Sequence, residues 1–272
     1  MPTNFSSDTS SRPTAPDQPL LTPIKRRSFF MYAGATAGAT ALVLAGCSKS
    51  DSSTNTIDVG SGDAGILNYA YALEQLEAAF YAQVKSTANG FYANASATEK
   101  QIFDDLAGHE AIHRDFLKAA ISANGFTPLQ NLTPDFSSIT FTDRTSVLQA
   151  AQTFEDTGVA AYNGAGRFIT NNAFLALAGK IVSVEARHAA LIRDLVKYNS
   201  FVDNDVVNLF TPSAPAVAGS YAGEGTPTTT ANTQGNGNPG PGQERSKRPP
   251  QILQAVNNFL ANGSKLSANS FA

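Results

Sequence analysis

The chain has 272 residues and a formal net charge of −3, with 22 acidic and 19 basic residues. A nearly balanced charge argues against a nucleic-acid-binding protein, which would need a basic surface. The single cysteine excludes an internal disulfide and a zinc site built on cysteine ligands. Both ends differ in composition from the middle, so the folded part is predicted to be smaller than the whole chain.

The N-terminal region has the features of an export signal. Residues 1–24 have few large apolar side chains, and then Arg26 and Arg27 precede an uncharged run rich in Ala and Gly that ends in Leu-Ala-Gly-Cys47. This pattern resembles a twin-arginine signal joined to a lipoprotein box, and the resemblance makes residues 1–46 the signal and Cys47 the lipidated residue. The alternative is an uncleaved membrane helix, but the run is short and weakly hydrophobic for a span of about 20 residues.

A helical pattern begins after a small, polar tether at residues 47–62. Apolar residues recur at helical spacing and predict a first helix from Asp63 to about Thr87, which Asn89-Gly90 can end with a left-handed backbone. A second helix is predicted to begin at Ser96, which forms a capping box with Glu99.

The residues between the second and third helices form a long connection. Residues 124–143 have no helical period and contain two prolines. Twenty extended residues reach up to about 66 Å, whereas a helix of about 26 residues is about 39 Å long. The connection can therefore return along the whole bundle, and the second and third helices are predicted to run parallel.

The third helix is predicted from Arg144 to about Thr170. Three glycines within it would each cost about 1 kcal/mol relative to alanine, which indicates close packing, with a helix break near Gly164 as the alternative. They are Gly158, Gly164 and Gly166. The fourth helix follows Asn171-Asn172 and completes a bundle over residues 63–198.

The helical period stops beyond the bundle. Residues 199–250 include a long stretch of Gly, Thr, Asn and Pro and are predicted to be flexible. Residues 251–272 are predicted to contain a short amphipathic helix that docks on the bundle, followed by a tail.

Two Glu-x-x-His motifs lie inside the apolar stripes of the second and fourth helices. Residues three apart on a helix lie about 60° apart around its axis, so each carboxylate and imidazole can face one ion. The helices before them also match, because Glu74 aligns with Glu155 and Tyr81 with Tyr162. The repeated pattern predicts a metal site with six ligands: Glu74, Glu110, His113, Glu155, Glu185 and His188.

Charge supports this interpretation. Four unpaired buried carboxylates would cost several kcal/mol each, whereas two divalent cations would balance them with both histidines neutral. Oxygen-rich ligation without a thiolate favours iron or manganese. The alternative is a bundle that has lost its metal.

Four further polar residues lie near these stripes. Glu77 and His109 are candidates for extra ligands or for hydrogen-bonding partners of the ligands, but the repeat places Gly158 and Val184 opposite them, so neither belongs to the symmetric set. Tyr81 and Tyr162 are expected beside the site, with ordinary core packing as the alternative.

These residues resemble the ferritin-like superfamily, most closely its exported bacterial branch related to plant desiccation-associated proteins. The resemblance covers Asp63 to Lys197 and, more weakly, Pro249 to Phe259. It implies an all-α four-helix bundle with a long crossover between helices two and three and a short C-terminal helix. It also implies Glu74 and Glu155 as single carboxylates, with the two Glu-x-x-His pairs completing a di-metal site.

Two functions follow as expectations. The first is a lipid-anchored protein of the bacterial cell envelope whose iron or manganese pair oxidises Fe(II) or reduces dioxygen or peroxide in oxidative or desiccation stress. If it is an enzyme, it would be a di-iron oxidoreductase of the ferroxidase or peroxidase kind. The second is a non-catalytic, stress-associated bundle with a structural metal or none. A homo-oligomer is compatible with both, although the anchor and tail argue against a sealed iron-storage shell.

Overall fold

The computed structural model describes residues 56–203, 205–207 and 244–272. The export signal, Cys47, most of the tether and the Gly-rich stretch lie outside the described residues. Four long helices build the fold: α1 (Gly62–Ser86), α3 (Ala97–Ala123), α4 (Arg144–Ala165) and α5 (Asn172–Val196). Two shorter helices are α2 (Phe91–Asn94) and α6 (Pro249–Val256), and the short parallel strands are β1 (Ile57–Asp58) and β2 (Leu266–Ser267). The prediction of an all-α bundle is confirmed.

Side-chain contacts give the helix directions. Tyr162, near the end of α4, contacts Glu74 in the middle of α1, whereas Tyr81, near the end of α1, contacts Glu155 in the middle of α4. These crossed contacts require α1 and α4 to be antiparallel. A short link joins α1 to α3, and the two helices pack against each other as an antiparallel hairpin. It follows that α3 and α4 run parallel, as the long crossover predicts.

Amide side chains of α1 fix the crossover in place. Asn68 accepts a hydrogen bond from the backbone N–H of Leu129 at 2.9 Å and donates to the carbonyl of Thr127 at 3.1 Å. Seven residues later, Gln75 accepts from the N–H of Leu132 at 2.9 Å. The spacing places both amides on one face of α1, so the crossover follows that helix.

The C-terminal segment packs back on the bundle. Ile252, Leu253 and Val256 of α6 are buried in the main hydrophobic core, and Leu260 pairs with Pro134 of the crossover. Among the residues that the structure describes, no helix combines the length and the apolar character needed to cross a membrane.

The helix α4 is shorter than predicted, because it ends at Ala165 and continues only as a 3₁₀ turn over Gly166–Phe168. Close packing is confirmed at two of its glycines. A Cβ atom at Gly158 would lie 3.1 Å from Glu185, and one at Gly164 would lie 1.8 Å from the carbonyl oxygen of Lys247. Close packing is wrong for Gly166, whose nearest neighbour would be an ordinary contact at 3.8 Å and which follows the end of the helix.

Replacing Gly164 with alanine is expected to destabilise the protein by about 1–3 kcal/mol, because the backbone at Lys247 would have to move away from α4. The backbone N–H of Lys247 donates to the carbonyl of Ala160 at 3.0 Å, and that bond would be strained as well. Chemical denaturation measures the change. Gly179→Ala is the matched control, since a Cβ there meets nothing within 4 Å and should stabilise α5 by about 1 kcal/mol. Equal effects of the two substitutions would contradict the close approach at Gly164.

Candidate metal centre

The predicted ligands form one polar layer between two apolar clusters. On α3, Leu106 belongs to the main core and Leu117 to a smaller cluster, with the first Glu-x-x-His motif between them. On α5, Ile192 and Ile181 flank the second motif in the same way. The side chains in this layer are deeply buried: all four predicted glutamates are 0% exposed and His188 is 5% exposed. Such burial removes the water that normally solvates a carboxylate.

Their donor atoms form two overlapping groups. The first donor group contains Glu74, Glu110, His113 and Glu185, and the second donor group contains Glu110, Glu155, Glu185 and His188. Within each group, one donor atom from every residue lies within 4.8 Å of the others. Glu110 and Glu185 belong to both groups, so the two sites share a pair of carboxylates. The structure thus brings together all six residues that the sequence pattern singles out.

The unpartnered atoms in this layer test whether a metal fits. Nδ1 of His188 lies 2.8 Å from Oε1 of Glu110, yet neither atom makes a hydrogen bond. Buried polar atoms are nearly always hydrogen-bonded. Here the buried atoms without a partner among the described residues include Glu74 Oε2, Glu110 Oε1, Glu155 Oε2, both carboxylate oxygens of Glu185, and His188 Nδ1. One such atom from each of five predicted ligands fits a cation, and the oxygen-rich donor set with two imidazoles suits iron or manganese.

The pKa values of these buried side chains also indicate a site for cations. Burial, with smaller effects from its neighbours, raises the pKa of Glu74 to about 7, and burial raises that of Glu185 well above its usual value. Burial would also raise the pKa of Glu110, but the adjacent imidazoles of His113 and His188 lower it to about 2. Burial would lower the pKa values of these histidines, yet the neighbouring carboxylates raise them to about 12 for His113 and about 10 for His188. In metal-free protein, protonated imidazoles are therefore the cations that balance the carboxylates, and a bound metal would replace those protons.

Two tyrosines hold the outer oxygens of the single glutamates. Tyr162 donates a hydrogen bond to Oε1 of Glu74 at 2.5 Å, and Tyr81 donates one to Oε1 of Glu155. Each tyrosine thus serves the glutamate of the other repeat, and the remaining oxygen of each glutamate faces the donor groups. Both residues lie beside the site, as expected, rather than in ordinary apolar packing.

Glu77 is buried beside the centre but lies in neither donor group. A Cβ atom at Gly158 would lie 3.2 Å from Oε1 of Glu77 and 3.1 Å from Oε2 of Glu185. The glycine therefore leaves the space that these two carboxylates occupy. Burial and the charge of Glu185 raise the pKa of Glu77 well above its usual value.

His109 contacts the centre from the surface. Its Nδ1 lies 2.9 Å from Nε2 of His188, and the two rings are nearly parallel, with an angle of 6° between their planes. Because Nδ1 of His188 faces the carboxylates, this contact involves the nitrogen on the far side of that ring. His109 is therefore placed to fix the ring orientation and tautomer of His188.

Replacing His109 with alanine is expected to weaken metal binding in the second donor group about 10- to 100-fold, because His188 loses the partner that orients it. Competition with a chromophoric chelator measures the affinity. His109→Gln can restore the hydrogen bond and should recover part of the loss. Val184→Ala, at the equivalent position of the other repeat, should leave the affinity unchanged. An unaltered affinity in His109→Ala would show that the contact does not position the ligand.

Comparison with known protein families finds one match that covers this layer. The family model described as "Ferritin-like domain" matches residues 62–198, about half of the chain, from the start of α1 to just beyond the end of α5. No curated protein matches the chain.

Proposed function

Because the chain belongs to the family of proteins with a ferritin-like domain, we propose that it holds two divalent metal ions, iron or manganese, in a redox centre. Glu74 and His113 would serve one ion, and Glu155 and His188 the other. Glu110 and Glu185 would be shared. The observation that carries this proposal is the set of buried, unpartnered donor atoms in the two donor groups.

Bound iron would supply electrons one at a time for the reduction of dioxygen or peroxide. The protein's own residues contribute position and charge. The apolar clusters on either side keep bulk water from the carboxylates, which strengthens electrostatic interactions in the layer. The hydroxyl groups of Tyr81 and Tyr162 hold one oxygen of Glu155 and Glu74, so the other oxygen stays directed to the centre.

The activity is tested by adding Fe(II) to the purified full chain and measuring dioxygen or peroxide consumption. A redox centre gives consumption that depends on the protein and is lost in Glu110→Ala and His188→Ala. Turnover that both substitutions leave unchanged would remove the proposal. Tight metal binding without turnover would favour the alternative, in which the metal only stabilises a non-catalytic bundle of the stress response.

The proposed location is the bacterial cell envelope, with the chain exported through Arg26 and Arg27 and anchored by lipid on Cys47. The sequence from residue 25 to residue 47 supports this proposal. Mass spectrometry of the protein from membranes should find a lipid on Cys47. In Cys47→Ser cells the protein should leave the membrane fraction, and retention there would contradict a lipid anchor.

A role in oxidative or desiccation stress predicts that a strain without the protein survives peroxide or drying less well.

A further inference from the structure

A cavity of about 20 Å³ lies between the four bundle helices, where the smaller hydrophobic cluster meets the main core. Its wall consists almost entirely of apolar side chains, and every bundle helix contributes to it. A cavity of 10–15 Å³ measured in this way holds about one water molecule, so this one has room for one small molecule.

The inner end of this cavity adjoins the metal centre. Leu73 lines the cavity and directly precedes Glu74, while Tyr162 lines it and donates its hydroxyl to the same glutamate. Leu117 and Ile181 also line it, and each is one helical turn from a Glu-x-x-His motif. A small molecule in the cavity would therefore lie next to the first donor group.

The outer end lies at the first turns of α5. Phe174, Leu177 and Ala178 line the cavity there and are only half-buried, whereas Leu73 and Leu117 are 3% and 2% exposed. These half-buried side chains separate the cavity from solvent at this end. The cavity thus lies between them and the residues that adjoin the buried centre.

The chemistry of the wall selects what can occupy it. A buried water needs two to four polar partners. The wall offers only two polar groups: the hydroxyl of Tyr69, which has no hydrogen-bond partner in the part of the chain that the structure describes, and that of Tyr162, which is donated to Glu74 and can still accept. Two partners are the lower limit for a buried water, and nearly all of the remaining wall is apolar, so water would be held weakly. No charged side chain of the described residues lines the cavity, so an ion would lose its hydration without compensation. The cavity therefore favours a small apolar molecule over water or an ion.

We propose that this cavity holds dioxygen and delivers it to the metal centre. The identity of the gas rests on the proposed function, whereas the presence of a gas site rests on the cavity alone. Dioxygen is small and apolar, and it gains from transfer into an apolar space that water fills poorly.

Xenon binding tests the gas site without any turnover. The full chain is loaded with Zn(II), which has no redox chemistry, and carbon-13 spectra of its methyl groups are recorded under xenon pressure. Xenon should shift the methyl signals of Leu73, Leu117 and Ile181. Ala178→Leu should weaken xenon binding about tenfold, a typical effect of one or two methylenes in an apolar pocket. Ala70→Val fills the cavity from α1 and is the second variant if Ala178→Leu does not fold. Ala176→Leu, exposed on the same helix, should bind xenon as the unchanged protein does.

Dioxygen kinetics of the Fe(II)-loaded protein complete the test. Ala178→Leu should raise the KM for dioxygen about tenfold and leave kcat unchanged, because the centre itself is intact. Absence of xenon shifts in the unchanged protein, or an ordered water in the cavity, would overturn the proposal. So would an unchanged KM in a variant that no longer binds xenon. Xenon binding in a protein that consumes no dioxygen would instead refute the redox function, and with it the identity of the gas.

Discussion

The Glu185→Gln protein is expected to lose both metal ions, whereas Glu155→Gln is expected to lose only one. Glu185 belongs to both donor groups, and both of its carboxylate oxygens are buried without a hydrogen-bond partner in the described structure. Glu155 belongs to the second donor group alone. Loss of a residue that merely orients a ligand costs 10- to 100-fold in affinity, so loss of a shared ligand should cost more than about 100-fold for each ion. Metal content after dialysis and isothermal titration measure both the number and the affinity.

Glu77→Gln is the matched control for these variants, because Glu77 is also a buried carboxylate but lies in neither donor group. It should keep both ions. Loss of one ion in Glu77→Gln would make that residue a ligand, and loss of one ion only in Glu185→Gln would show that the carboxylate is not shared.

Replacing Arg193 with methionine is expected to destabilise the fold by about 3 kcal/mol. Its guanidinium is 3% exposed and donates to both oxygens of Asp156, at 2.7 and 2.6 Å, and to both oxygens of Asp205, at 3.0 and 2.8 Å. The substitution leaves Asp156, which is 13% exposed, without its cation. Asp205 is more exposed and can regain water, so the estimate is at the low end of the usual range for broken buried pairs. Thermal unfolding should show a midpoint lower by about 6–12 °C.

Two further variants test whether the loss of stability comes from the unpaired charge or from lost packing. Adding Asp156→Leu to Arg193→Met should recover much of the stability, because the unpaired charge is then gone. Arg187→Met, on the exposed face of the same helix, should change stability by less than about 0.5 kcal/mol.

The dependence of stability on acid pH is a further test of the ion pair between Arg193 and Asp205. The hydrogen bond from Arg193 lowers the pKa of Asp205, so its stabilising contribution is present above the usual aspartate pKa and is lost as pH falls through the lowered one. Arg193→Met should lose this part of the acid sensitivity, and an unchanged acid response would contradict the ion pair.

The local patterns of the sequence predicted the bundle and its polar layer well. The capping box at Ser96 lies at the start of α3, and the repeated Glu-x-x-His spacing singled out the side chains that the fold brings together. The length of the crossover also gave the parallel direction of α3 and α4. These features depend on helical periodicity and chain length, which a single sequence shows directly.

Features that depend on which helices become neighbours were not predicted. The bond from each tyrosine to the glutamate of the other repeat requires that α1 and α4 be antiparallel, and the pairing of Arg193 with Asp205 requires that the chain turn back after α5. The cavity between the four helices exists because the side chains there do not fill the space completely. Helical periodicity carries no information about this filling. The main prediction carried α4 to Thr170 because the apolar pattern continues through Phe168, whereas the alternative of a break near Gly164 agrees with the end of the helix at Ala165.

Metal binding depends on the packing of two helical hairpins, α1 with α3 and α4 with α5, because both contribute residues to each donor group. Each donor group draws three residues from one helical hairpin and a single carboxylate from the other, so neither hairpin holds a full set by itself. A protease cut within residues 137–138, on the exposed part of the crossover, would divide the chain into pieces that each retain half of the donors. Such pieces should take up metal only when mixed, with an uptake that rises with the product of their concentrations. The covalent link between the two hairpins therefore keeps together the halves of each donor group.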